Sequence, residues 1–145
     1  MKVFATVSAV LALAASASAA FSSCGSASDS LTLSGITYTP NPPKVGQNVC
    51  ITLKGTLKKE VAQGATIRTT ATFWGINVYD STSDLCAGLV GGANPCPITT
   101  SVSSVTQCIS VPSNVPANVQ LNIKAVAKHG DGSQIFCISG PLTFQ

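Results

Sequence analysis

Val49-Cys50-Ile51-Thr52-Leu53-Lys54-Gly55-Thr56-Leu57-Lys58 sets apolar residues against polar ones in alternation, broken only where Gly55 falls in the apolar row. Successive side chains of an extended chain point to opposite faces, so a period of two makes this segment a strand with one buried face. The pattern recurs downstream. Ala65, Ile67, Ala71 and Phe73 oppose Thr66, Arg68, Thr70 and Thr72, and Val119, Leu121, Ile123, Ala125 and Ala127 oppose Gln120, Asn122, Lys124 and Lys128. Leu31-Thr32-Leu33 opens an earlier strand towards Tyr38, which Pro40-Asn41-Pro42-Pro43-Lys44-Val45-Gly46 ends with a proline-stiffened turn. Shorter strands are expected over 98–111 and 135–144, with Lys128-His129-Gly130-Asp131-Gly132 as a hairpin turn. Helix signals are nearly absent. The fold class is therefore all-β, an antiparallel two-sheet sandwich of half-buried strands. Tyr79 to Pro97 reads as one long irregular connection, tied down by Cys86 and Cys96.

The N-terminus is a different kind of segment. Lys2 supplies a positive start, Val7 to Ala15 an apolar stretch, and Ala17-Ser18-Ala19-Ala20 a small-residue cleavage site, so residues 1–20 read as a secretory signal peptide and 21–145 as one mature domain. Without Lys2, seven basic residues stand against five acidic ones, too mild a balance to indicate nucleic acid. No later stretch has the apolar length of a membrane-spanning helix, and the C-terminus carries neither a GPI-type tail nor an ER-retention signal. A soluble protein is expected, secreted or held in a vacuolar or endolysosomal lumen. No asparagine sits in an Asn-x-Ser/Thr acceptor site. Six cysteines in a chain sent to an oxidising compartment read as a disulfide framework.

Catalytic constellations are missing. His129 is the single histidine and lies among turn residues, while Asp29, Glu60, Asp80, Asp84 and Asp131 are scattered without a pair on one strand face. Cys-x-x-Cys is absent, and no metal site or cofactor is expected. Lys54, Lys58, Arg68, Lys124 and Lys128 share the polar parity of their strands, which gives a diffuse basic exterior for solubility and a weak attraction to anionic lipid surfaces. Trp74 falls on the polar parity beside Gly75, where a bend can turn it either way.

The inward rows are unusually rich in small residues: Gly55, Ala65, Ala71, Ala125 and Ala127. Facing sheets lined this way either approach closely or leave an internal space, and composition leaves both open.

Several short strings narrow the choice. Cys24-Gly25-Ser26 followed by Asp29, Asp84-Leu85-Cys86, Cys96-Pro97-Ile98, the paired prolines of Val111-Pro112 and Val115-Pro116, and Ile135-Phe136-Cys137 resemble, in order and spacing, the ML family of MD-2-related lipid-recognition domains. Within it the chain is most similar to the fungal phosphatidylglycerol/phosphatidylinositol transfer proteins, and next to the Niemann–Pick type C2-like sterol carriers. The resemblance implies an immunoglobulin-like β-sandwich whose sheets splay apart to hold a lipid. It also implies bonds Cys24–Cys137 and Cys86–Cys96. Cys50 and Cys108 remain; both lie on the polar parity of their strands, so both thiols face outward on one sheet where a bond can join them.

The implied activity is lipid binding and transfer between membranes, with no chemistry. The ligand is a phospholipid such as phosphatidylglycerol or phosphatidylinositol, or in the alternative a sterol, and the carrier is a monomer in transient contact with membranes. The residues implied to touch lipid are Ile51, Leu53, Ile67, Ala71, Phe73, Leu121, Ile123 and Ala125 on the inward rows, with Val78, Tyr79 and Val115 at the entrance. The competing expectation is an extracellular immunoglobulin-like interaction module with a filled core.

Overall fold

The alternating segments become strands in the computed structural model, which describes residues 21–89 and 95–145. The leader assigned to residues 1–20 lies outside the described residues, as do Gly91 and Gly92 of the disulfide loop. The strands are β1 (Ser22–Ser23), β2 (Leu31–Thr39), β3 (Asn48–Leu57), β4 (Thr66–Phe73), β5 (Ile76–Asp84), β6 (Ser104–Ser110), β7 (Gln120–Lys128) and β8 (Gln134–Thr143). A four-residue helix, α1 (Leu85–Gly88), follows β5. All pairings are antiparallel and build two sheets, one in the order β1-β8-β7-β4-β5 and the other β2-β3-β6.

Parity holds where the sequence alternates. In β7, Leu121, Ala125 and Ala127 are buried while Gln120, Asn122, Lys124 and Lys128 are exposed. In β3, Val49 and Leu57 are buried while Lys54 and Thr56 are exposed. Gly55 interrupts that row for a steric reason: a Cβ there would collide with the backbone carbonyl of Thr32 on β2, beside the bulge between Leu33 and Gly35. This glycine permits close strand approach.

Two expectations are corrected. The connection expected from Tyr79 to Pro97 begins as regular structure, because Ile76–Asp84 forms the edge strand β5, paired with β4 from Phe73↔Ile76 to Thr66↔Asp84. Val78 and Tyr79 therefore lie inside this strand. Its sequence Asn77, Asp80, Ser81, Thr82, Ser83, Asp84 conceals a strand because nearly every residue is solvated, and the bulge between Ala71 and Thr72 shifts the parity. The strand expected over 98–111 is shorter, Ser104–Ser110; Ile98 instead makes an isolated bridge with Val61.

The β-sandwich has two distinct ends. The Thr39–Asn48 turn, the β4–β5 hairpin, the β6–β7 loop and the C-terminus share one end; α1, the β3–β4 connection and the β7–β8 turn share the other. Each end has its own hydrophobic cluster. Val49, Ala71, Val111, Leu121 and Phe144 form the first, while Leu57, Val61, Ala65, Leu85, Leu89, Ile98, Ala127, Ile135 and Phe136 are among the second. The buried residues of a filled core would form one contiguous cluster.

Polar groups fasten the α1 end. Gly25 leaves room for the carboxylate of Asp29, which is buried and accepts hydrogen bonds from Ser26 Oγ at 3.3 Å and from Gln134 Nε2 at 3.0 Å to each oxygen. Asp84 caps α1 by accepting from the Ala87 amide at 3.0 Å. His129 lies in the expected turn, and its ring is buried against Ser30.

Candidate functional site

Between the two clusters lies a cavity of about 790 Å³, within the range of small-molecule sites. The eleven side chains singled out from the sequence all line it: Ile51 and Leu53 from β3, Ile67, Ala71 and Phe73 from β4, Val78 and Tyr79 from β5, Val115 from the β6–β7 loop, and Leu121, Ile123 and Ala125 from β7. A filled-core sandwich has no place for such a space. The alanines explain part of it, since Ala71 is 4% exposed and stands between Tyr79 and Ile123 with no bulk of its own.

Other lining residues escaped the sequence reading. Phe21 and Tyr38, stacked edge to face at 6.0 Å, close one flank, while Leu85 and Leu89 floor the α1 end with Val61 and Ile98. The Asp84-Leu85-Cys86 string had carried the signal for Leu85. Val105, Gln107 and Ile109 enter from β6, which is the odd parity opposite Cys108 and so was legible. Thr69, Ser81 and Ser83 were not, because polar residues on an inward row read as solvated.

Among the described residues no charged side chain lines the cavity. Its rim, by contrast, is exposed and apolar at the hairpin end, where Phe73, Val78, Tyr79 and Ile109 all reach solvent. The hairpin tip continues that rim. Phe73 and Ile76 are cross-strand partners, leaving Trp74 and Gly75 as a two-residue turn with φ of 51° and 79°. Positive φ at both positions matches a type I′ hairpin turn, which favours Asn, Asp or Gly and strains a bulky residue. Trp74 turns to solvent, 87% exposed, with Ile76 beside it at 67%.

Charge is confined elsewhere. Arg68 donates two hydrogen bonds to Asp80 on the outer face of β4 and β5, at 2.9 and 2.5 Å; these hold the Asp80 carboxyl below its ordinary value and raise the guanidinium. Lys59 donates to Asp131 at 2.7 Å, and with Ser133 it depresses the Asp131 carboxyl well below the carboxylate range. Burial, and secondarily Lys59, lowers the pKa of His129. Among the described residues no cluster of three or more His, Cys, Asp or Glu side chains is disposed to hold a metal ion.

Three disulfides brace the shell: Cys24–Cys137, Cys50–Cys108 and Cys86–Cys96. Cys50 and Cys108 are direct cross-strand partners on the outer face of the smaller sheet. Cys86–Cys96 ties α1 to the segment before β6. Such a framework belongs to an extracellular or lumenal protein.

A family model described as the ML domain matches residues 18–144. The chain is 32% identical to a phosphatidylglycerol/phosphatidylinositol transfer protein of Candida albicans, over 79% of this chain and 59% of the relative. It is 26% identical to the protein of the same name from Neurospora crassa, over 80% of this chain and 65% of the relative. It thus spans about three fifths of the length of these relatives. A Niemann-Pick type C2 protein from the Japanese carpenter ant has the same fold, with a TM-score of 0.66 at 18% identity, covering 87% of this chain and 99% of that one.

Proposed function

The chain belongs to the ML domain family, and from that premise we propose that it is a carrier that binds one lipid without covalent chemistry and transfers it between membranes. The observation that carries this reading is the uncharged cavity of about 790 Å³ held open between two hydrophobic clusters. Apolar chains placed there leave water, which contributes roughly 25 cal/mol for each Å² of apolar surface removed. The eleven lining residues named from the sequence are the proposed contacts, and the names of the relatives favour a phospholipid over a sterol.

The hairpin end is the proposed membrane contact. Trp74, Ile76, Val78 and Tyr79 are exposed there, and Lys44 is the one charged residue in the segments of that end. Tryptophan suits the interface between lipid headgroups and acyl chains, and an apolar tip joined to the cavity rim gives a lipid a route that avoids water. The remaining assignments are a cleaved leader over 1–20, one domain over 21–145, a monomer, and delivery to the outside or to a vacuolar lumen.

The test is mass spectrometry of an organic extract of the folded, secreted protein, with transfer of a fluorescent phospholipid between vesicles. A stoichiometric phospholipid in the extract and protein-dependent transfer are expected. Stoichiometric sterol would move the ligand to the alternative class. A lipid-free protein that accelerates neither transfer sinks the carrier reading.

A further inference from the structure

One part of the cavity lining does not fit a purely apolar ligand. Thr69 and Ser81 are direct cross-strand partners on β4 and β5, Ser83 is the next residue along the same face of β5, and all three line the cavity. Gln107 enters it from β6. β5 and β6 are the edge strands of their respective sheets, so these groups flank the side of the sandwich between two unpaired edges. None of the four side chains makes a hydrogen bond with a described residue. Gln107 is half-buried, and its carboxamide lies on Gly88 of α1, where a Cβ would collide with its nitrogen. The helix therefore leaves room for this amide at the end of the gap.

These groups are open to water in the cavity, and a lipid that fills it displaces that water, so each polar group then costs free energy unless the lipid completes it. From this we infer that Gln107, with Thr69, Ser81 and Ser83, forms a hydrogen-bonding subsite for a neutral aliphatic hydroxyl of the bound lipid. The inference rests on the carrier reading above. Gln107 offers both a donor and an acceptor, and each hydroxyl offers both as well, which suits a group that also donates and accepts. Among the described residues no charged side chain lines the cavity, so the subsite offers hydrogen bonds but no countercharge to an ionised phosphate. The hydroxyl can belong to a polyol headgroup or to a sterol, and this chemistry is common to both.

The test uses the folded, disulfide-intact protein carrying Gln107→Leu, and separately the double variant Ser81→Ala/Ser83→Ala. The serines lie on the solvated edge strand, so the double variant keeps the test open where the glutamine variant fails to fold. Each protein is offered vesicles containing phosphatidylinositol, phosphatidylcholine or ergosterol, and binding of the apolar dye N-phenyl-1-naphthylamine reports the cavity itself. Loss of one neutral hydrogen bond should lower extraction of the hydroxyl-bearing lipid by about three- to tenfold. Phosphatidylcholine, which carries no hydroxyl, and the dye should lose clearly less. A selective loss for phosphatidylinositol assigns the hydroxyl to the headgroup, and a selective loss for ergosterol assigns it to the sterol. Equal losses for all lipids, or none, overturn the subsite while leaving the carrier intact. Wild-type protein that binds neither dye nor any lipid overturns the carrier reading and the subsite with it.

Discussion

Ser30 Oγ and His129 Nε2 lie 2.7 Å apart, joining residues 99 positions apart in the chain at the end of the sandwich away from the exposed hairpin. Burial favours the neutral imidazole, and Lys59, itself paired with Asp131, adds to that preference. The folded pKa is thus below the unfolded value of about 6.5. As pH falls through 6.5 the unfolded chain takes up this proton before the folded one, so the contribution is complete above that pH and declines towards the folded value. Thermal unfolding between pH 7 and 5 should show a falling midpoint, and His129→Asn should flatten the decline. An unchanged slope in the variant would remove His129 as its source.

The Cys24–Cys137 bond closes a loop of 113 residues, worth about 4–5 kcal/mol in the chain-entropy picture. A domain with a hollow middle has less packing to set against that loss. Replacing both cysteines with serine should lower the unfolding free energy by several kcal/mol. A denaturant midpoint close to that of the wild type would show the tie to be dispensable.

How much of this was legible depended on which face of a strand meets water. β3, β4 and β7 announced themselves because one face is buried and the other wet, and the same parity put Cys50 beside Cys108. β5 was hidden because it is a solvated edge whose inner face borders an opening, so no apolar row marks it. Gly55 and Ala71 looked alike as small residues on inward rows. Both border the cavity, but Gly55 in addition lets the Thr32 carbonyl approach. That distinction depends on what lies across the gap, which a local pattern does not contain. His129 lies in the turn that the sequence indicated, but its burial against Ser30 was hidden for the same reason, since that partner is remote in the chain.

Ala71 and Ala125 carry the next prediction, because both are buried and both face the cavity. Phenylalanine at either position should project into the space without displacing protein atoms. Uptake of a fluorescent phospholipid should then fall sharply while the ligand-free protein unfolds within about 1 kcal/mol of the wild type, below the typical ~1–3 kcal/mol cost of overpacking a filled interior. A large loss of stability with binding retained would mean that the space closes in solution.

Trp74 sets function against stability at one residue. Its φ of 51° lies in the left-handed region, where a bulky side chain is strained by roughly 1–3 kcal/mol, and its neighbour Gly75 at 79° completes the turn. Asparagine accommodates that conformation far better and is a preferred residue for a type I′ turn. Trp74→Asn should therefore raise the unfolding free energy by about 1 kcal/mol, since the exposed ring has little packing to lose beyond its edge-to-face contact with Phe73. The same change removes the aromatic group proposed to enter the headgroup region. Vesicle binding and the transfer rate should drop several-fold, with lipid capacity in solution unchanged because Trp74 does not line the cavity. A stabilised variant that still binds vesicles like the wild type would place membrane contact on another surface. A destabilised variant would mean that the indole ring stabilises the hairpin by more than its backbone conformation costs.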